Sequence, residues 1–175
     1  DQLQHIEMTR DVASRVHAKV GDVFVIPEAK IQKENMLIPG TDGQKMSKSK
    51  GNVIDIFQTD KALRKQIMSI QTDSTALEAA KDWSTCNSFA IYSLLASDSQ
   101  VAKMKQNYEG GGYGYGHAKQ ALFELICEQF SEQRERYAYY MENLEEIDQA
   151  LKVGAEKAAK TANAVLERVR EKIGY

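Results

Sequence analysis

Apolar residues recur at three-, four- and seven-residue steps from the start of the chain, at Leu3, Ile6, Ala13, Val16 and Val20. That spacing lays them on one side of a helix. A helix over 2–20 follows, with Asp1 at its N-terminus and Gly21 as its stop. The run "VFVIP" at 23–27 is rich in β-formers and closed by proline, which predicts a short strand. From there to Asn52 the chain is dense in Gly, Pro, Asn and Asp, the composition of a long loop. Beyond it the period becomes helical. Thr59 is placed to cap a helix running through Ile70, Thr75 and Glu78 form a capping box, and Ser97 with Gln100 forms another. The glycines at 110–112 stop the helix that this second box opens. Ala118, Leu122, Leu125, Ile126, Phe130, Tyr137 and Met141 predict one long amphipathic helix over 117–141. A last helical pattern passes Leu144, Ile147, Leu151, Gly154, Ala155, Ala158, Ala162, Val165, Val169 and Ile173. The second two-thirds of the chain therefore reads as an antiparallel helical bundle, and the fold class as mainly α.

Composition narrows the function only by exclusion. With 175 residues, 42% of them hydrophobic, there is material for one ordinary domain or two small ones with a real core. No apolar run is long enough to span a bilayer, and the N-terminus carries no signal-peptide core, so a cytoplasmic location is expected. Cys86 and Cys127 form no CxxC and are expected to be free, buried thiols. His5, His17 and His117 have no metal-ligand spacing and read as structural, and Trp83, in a loop, reads as a packing residue. A formal charge of −2 argues against a protein that coats nucleic acid, so RNA contact would need a local basic patch. The chain starts at Asp1 and runs at once into helix, which suggests a piece of something longer.

The stretch "GTDGQKMSKSKGN", 40–52, changes the picture. It gathers Lys45, Lys48 and Lys50 with Ser47 and Ser49 between glycines, and no acid lies between Gly43 and Asn52. Glycines let a backbone approach a ligand closely, loop N–H groups can form an anion nest, and ammonium groups neutralise phosphate oxygens. The combination suits a polyphosphate. It does not fit the P-loop pattern GxxxxGK[ST], so that class of NTPase is excluded. A solvated basic loop is the plain alternative for any trio of lysines.

The pentapeptide Lys45-Met46-Ser47-Lys48-Ser49 is identical to the second signature motif of class I aminoacyl-tRNA synthetases. Such an identity arises by chance at about one position in three million. Three further stretches resemble the tryptophanyl-tRNA synthetases of bacterial type: "DQLQHIEMTRD" at the start, "IPGTDGQKMSKS" on the approach to the loop, and "YEGGGYGYGHAKQALFELI" at 108–126. "GAEKA" at 154–158 and "VREKIG" near the end resemble that family too. The resemblance covers essentially the whole chain and is to the C-terminal half of the family's proteins. It implies a division at 57/58. Residues 1–57 would be the C-terminal remnant of a Rossmann-type catalytic domain carrying the loop. Residues 58–175 would be a helical, anticodon-binding domain whose last helix can pack back on the catalytic part.

The resemblance also implies roles. Lys45 and Lys48 would hold the phosphates of ATP, together with Met46, Ser47 and Ser49; Asp1 would contact the ribose; Asn35 and Met36 would meet the adenine; Gln2 would lie beside the amino and carboxylate groups of L-tryptophan. Without the resemblance, Asp1 and Gln2 read as helix capping and Met36 as core. Implied partners are ATP with Mg2+, L-tryptophan and tRNA(Trp), in a homodimer. The anticodon would meet the basic last helix (Lys152, Lys157, Lys160, Arg168, Arg170, Lys172) and Arg134, Arg136, Tyr137, Tyr139 and Tyr140. Interspersed glutamates leave an ion-paired solvent face as an equal reading of these residues. The family's first signature, a His-Ile-Gly-His-like run, is absent from these residues, and "HIEM" at His5 belongs to a helix. The chain alone is therefore expected to be inactive. A tyrosyl-tRNA synthetase fragment is the nearest alternative, though its C-terminal RNA-binding module is not seen. A non-catalytic helical module for RNA or protein is the other.

Overall fold

The computed structural model of the chain describes residues 2–30 and 38–175. Among these residues there are seven α-helices: α1 Leu3–Val20, α2 Asp60–Met68, α3 Asn87–Leu95, α4 Asp98–Glu109, α5 Tyr115–Gln129, α6 Ser131–Glu142 and α7 Leu144–Ile173. The mainly α class agrees with the periodicity of the sequence. A one-turn 3-10 helix spans Lys48–Lys50. Two compact units are distinguished, Asp1–Met36 with Tyr140–Tyr175, and Leu37–Tyr139.

In the first unit α1 starts at Leu3 and ends at Gly21, as the apolar spacing requires. The expected strand at 23–27 is not formed, and a Rossmann remnant is not seen among the described residues. β-formers make a strand only where a neighbouring strand takes their backbone groups. Here those groups go to side chains: the Phe24 N–H donates to His17 Nε2 at 3.0 Å and the Val23 carbonyl accepts from Arg168 Nε at 2.9 Å. Val23 is buried, whereas Val25 is 89% exposed. The 30-residue α7 has no fully buried residue; Val165 and Val169 are half-buried beside Arg168.

The second unit is built on a core of Leu63, Ile67, Ile70, Phe89, Tyr92, Met104, Tyr108, Leu122 and Ile126, where α5 packs on α2 and α3, and α3 on α4. Two caps act as their sequences predict. Thr59 accepts from the Ala62 N–H at the start of α2, and Ser97 with Gln100 closes a reciprocal capping box at the start of α4.

Two expected helical features are absent. No helix begins at Thr75: its N–H is taken by Asp73 Oδ1 at 2.8 Å, and the carbonyls of Ala76, Leu77 and Ala79 accept from Lys81 Nζ at 3.0, 3.1 and 3.1 Å. These side chains capture the groups that a helical ladder would have used. Lys81 is only 4% exposed, and its N–H donates to the Tyr108 carbonyl at 2.7 Å. The single helix expected over 117–141 is two, broken at Phe130, whose φ of −107° and ψ of 17° leave the helical region while its ring packs against the core.

Cys86 is a free, buried thiol within 3.3 Å of the Tyr108 hydroxyl; Cys127 is free and half-buried. Trp83 lies in a loop, donates Nε1–H to Glu109 and is covered by the Lys105 ammonium 3.9 Å from its ring centre.

Candidate functional site

The lysine loop is a closed, hydrogen-bonded turn in the second unit. Pro39 and Lys45 face each other in an isolated antiparallel bridge, and the Met46 N–H donates to the Ile38 carbonyl at 2.9 Å. Inside the bridge, the Gly40 N–H donates to the Gln44 carbonyl at 2.7 Å and the Gly43 N–H to the Gly40 carbonyl at 3.0 Å. Ser47 is extended, with φ −156° and ψ 138°, and opens the 3-10 turn. Gly51, at φ 68°, closes it in the left-handed region that glycine tolerates best. The Ser47 and Ser49 hydroxyls lie 2.8 Å apart.

The turn is organised from within by a residue that the pattern of the sequence did not single out. Asn52 is 3% exposed. Its Oδ1 accepts from the Ser47 N–H at 2.7 Å, and its Nδ2 donates to Asp42 Oδ1 at 2.7 Å and to the Lys45 carbonyl at 3.1 Å. Its own carbonyl accepts from the Thr41 N–H at 2.9 Å. Gly40 is required beside it, because a Cβ there would stand 2.5 Å from the Asn52 amide. Asp42 also accepts from the Gln44 N–H at 3.0 Å. The bond from Asn52, more than any other influence, holds the Asp42 carboxyl below its ordinary pKa of 3.8. The only acid of the loop is thus engaged in holding its backbone, and Lys45, Lys48 and Lys50 stand exposed.

Both ends of the loop are tied to the helical core. The Gln71 N–H donates to the Thr41 carbonyl at 2.7 Å, and Asn87 Nδ2 in turn donates to the Gln71 carbonyl at 3.2 Å. Downstream, Ile54 and Ile56 pack against the core and the Asp55 N–H donates to Gln66 Oε1 of α2. A polar cavity of about 370 Å³ lies at this base, lined by Gln71, Thr72, Asp73, Thr85, Cys86, Asn87 and Tyr115. In it the Tyr115 hydroxyl donates to Asp73 at 2.7 Å. Burial first, and that bond second, push the Tyr115 pKa up to about 12.

The other predicted site residues are placed unevenly. Asp1, Asn35 and Met36 lie outside the described residues. Gln2 belongs to the first unit, at the N-cap of α1; its side chain makes no cap bond, and its carbonyl accepts from His5 and Ile6. Among the RNA candidates, Arg134 is engaged elsewhere. It donates to Cys127 Sγ at 3.1 Å, to the Gln58 carbonyl at 2.9 Å and to Asp60 at 2.6 Å. Tyr137 stacks on Phe57 with 4.6 Å between ring centres. Among the described residues no group of three His, Cys, Asp or Glu side chains could hold a metal ion, and no helix is long and apolar enough to cross a membrane.

Comparison with known proteins agrees with the loop. The pattern of the family described as tRNA synthetases class I (W and Y) matches residues 1–131. A tryptophan--tRNA ligase of Campylobacter jejuni strain RM1221 is 46% identical over 174 residues, 99% of this chain and 54% of its own length. One from Rhodopirellula baltica is 40% identical over the same shares. A crystal structure of tryptophanyl-tRNA synthetase from Campylobacter jejuni, complexed with ADP and tryptophan, superposes with a TM-score of 0.86 at 45% identity, covering 99% of this chain and 55% of that one. The chain thus spans about half the length of these relatives. With three-quarters of its residues inside the family pattern and the signature loop formed, the chain belongs to the class I tRNA synthetases of the tryptophan and tyrosine group.

Proposed function

We propose that the complete protein carrying this chain is a tryptophan–tRNA ligase, which activates L-tryptophan with ATP and transfers it to tRNA(Trp). The observation that carries the reading is the KMSKS pentapeptide set on a closed turn with its lysines exposed and its one acid engaged in the backbone. In the reaction, a carboxylate oxygen of tryptophan attacks the α-phosphorus. The bond from that phosphorus to the bridging oxygen breaks, and pyrophosphate departs with the electron pair. Negative charge grows on the departing group, so preorganised cations aimed there lower the barrier more than they tighten ground-state binding. Lys45 and Lys48 take that part, with Met46, Ser47 and Ser49 shaping the turn that meets the phosphates. Asp1 contacts the ribose, Asn35 and Met36 the adenine, and Gln2 the tryptophan. Mg2+ arrives with ATP; the described residues offer it no carboxylate cage.

Residues 1–57 serve the catalytic domain and 58–175 the anticodon, in a cytoplasmic homodimer. Because the chain spans only about half of its relatives, it is inactive alone. The measurement that tests this reading is amino-acid-dependent exchange of labelled pyrophosphate into ATP. The complete polypeptide should exchange with tryptophan and not with tyrosine, and this chain alone with neither. Exchange driven by tyrosine, or none by the complete polypeptide with any amino acid, would overturn it.

A further inference from the structure

We propose that Asn52 is a positioning residue for the adenylation step: its side-chain amide fixes the backbone on both sides of Met46 and so aims Lys45 and Lys48. The inference rests on the functional reading above and adds to it a residue outside the pentapeptide.

A primary amide offers one acceptor and two donors, and all three capacities are used here. Oδ1 takes the Ser47 N–H; Nδ2 gives one hydrogen to Asp42 and one to the Lys45 carbonyl. The two bonds to backbone fall on either side of Met46, on the carbonyl of one lysine of the motif and on the amide that precedes the other. The Ser47 N–H, held in this way, also fixes the residue that opens the 3-10 turn bearing Lys48 and Lys50. Asn52 is almost wholly buried, in space that the missing side chain of Gly40 leaves for its amide. The third bond, to Asp42, orients the amide: a carboxylate accepts only, so Nδ2 must face Asp42 and Oδ1 must face Ser47. Flexible ammonium groups are useful in a transition state only if their root is fixed, and a displacement of about 1 Å at such a root can cost on the order of 100-fold in rate.

The test is made in the complete polypeptide by pyrophosphate exchange, with amide hydrogen exchange at Ser47 as a separate readout. Asn52→Asp keeps an acceptor for Ser47, loses both donors and sets two carboxylates together. It is expected to lower kcat by about 10- to 100-fold, with the KM for tryptophan unchanged and the Ser47 amide still protected. Adding Asp42→Asn supplies a new donor at position 42 and removes the repulsion, and should recover part of that loss, the bond to the Lys45 carbonyl staying absent. Asn52→Ala removes every side-chain bond, should expose the Ser47 amide, and should not be rescued by Asp42→Asn. A wild-type kcat in Asn52→Asp and Asn52→Ala would overturn the positioning role, as would equal rescue of both variants by Asp42→Asn. A change confined to thermal stability would overturn it too. These outcomes are distinct from failure of the functional reading, in which the unaltered polypeptide itself shows no tryptophan-dependent exchange.

Discussion

Replacing Lys81 by methionine isolates what one buried ammonium does for this fold. The aliphatic stem keeps nearly the same volume, so the change removes a charge and three donors without opening a large cavity. Lys81 Nζ donates to three backbone carbonyls within 3.1 Å, at Ala76, Leu77 and Ala79. Hydrogen bonds to a charged donor are worth about 1.5–3 kcal/mol each, which sets a gross loss of about 5–9 kcal/mol. Against this, the fold no longer has to desolvate an ammonium, a cost of several kcal/mol in real proteins. The carbonyls also belong to exposed residues, and water can replace part of what they lose. A net destabilisation of about 2–4 kcal/mol remains. Thermal unfolding of the chain followed by circular dichroism should then show a midpoint on the order of 10 °C lower. The Gly112 N–H, which donates to the Leu77 carbonyl, should lose protection from hydrogen exchange first. A Lys81→Met variant within about 0.5 kcal/mol of the parent, the range typical of inconsequential surface changes, would refute the reasoning.

Other perturbations have directions set by the same geometry. Asp42 is held below its ordinary 3.8, so its contribution to the loop is complete above that pH and is lost as pH falls through the lower folded-state value. Amide exchange at Gln44 and Ser47, followed by NMR at constant temperature, should show protection down to about pH 4 and its loss below. Tyr115 behaves in the opposite sense. With its pKa raised from 10.0 to about 12, it contributes fully below pH 10 and progressively less as pH rises toward 12, which ultraviolet titration of Tyr115→Phe against the parent would resolve. Gly111→Ala should cost about 1–3 kcal/mol by denaturant unfolding, because φ is 69° there and a Cβ would collide with the Glu78 carbonyl.

The helices were legible because periodicity and caps are local. Thr59 and the Ser97–Gln100 box needed only their own neighbours to act, and α1, α4 and α7 lie where their spacing puts them. The failures have tertiary causes. A capping box at Thr75 was defeated by Lys81, whose ammonium reaches back to carbonyls that no propensity scale would assign to it. The break at Phe130 comes from a ring turned to the core, and the apolar face that continues across 117–141 hides it. "VFVIP" has the composition of a strand, but pairing belongs to a partner strand and not to the run itself. In the candidate site, the lysines were read from an identical pentapeptide, whereas Asn52 looked like one more turn residue at the end of a loop. Its connections to Asp42, Lys45 and Ser47 exist only once the loop closes. The Gly-Asn pair that follows the pentapeptide is the signal that could have marked it.

The claim on which the functional reading depends is that a lysine of this turn stabilises charge on the departing pyrophosphate. Single-turnover formation of tryptophanyl-adenylate by the complete polypeptide carrying Lys48→Ala tests it most directly. The expected result is a rate lower by about 100- to 1,000-fold, the cost of removing one charge-stabilising donor, with tryptophan affinity unchanged. An undiminished rate would contradict it.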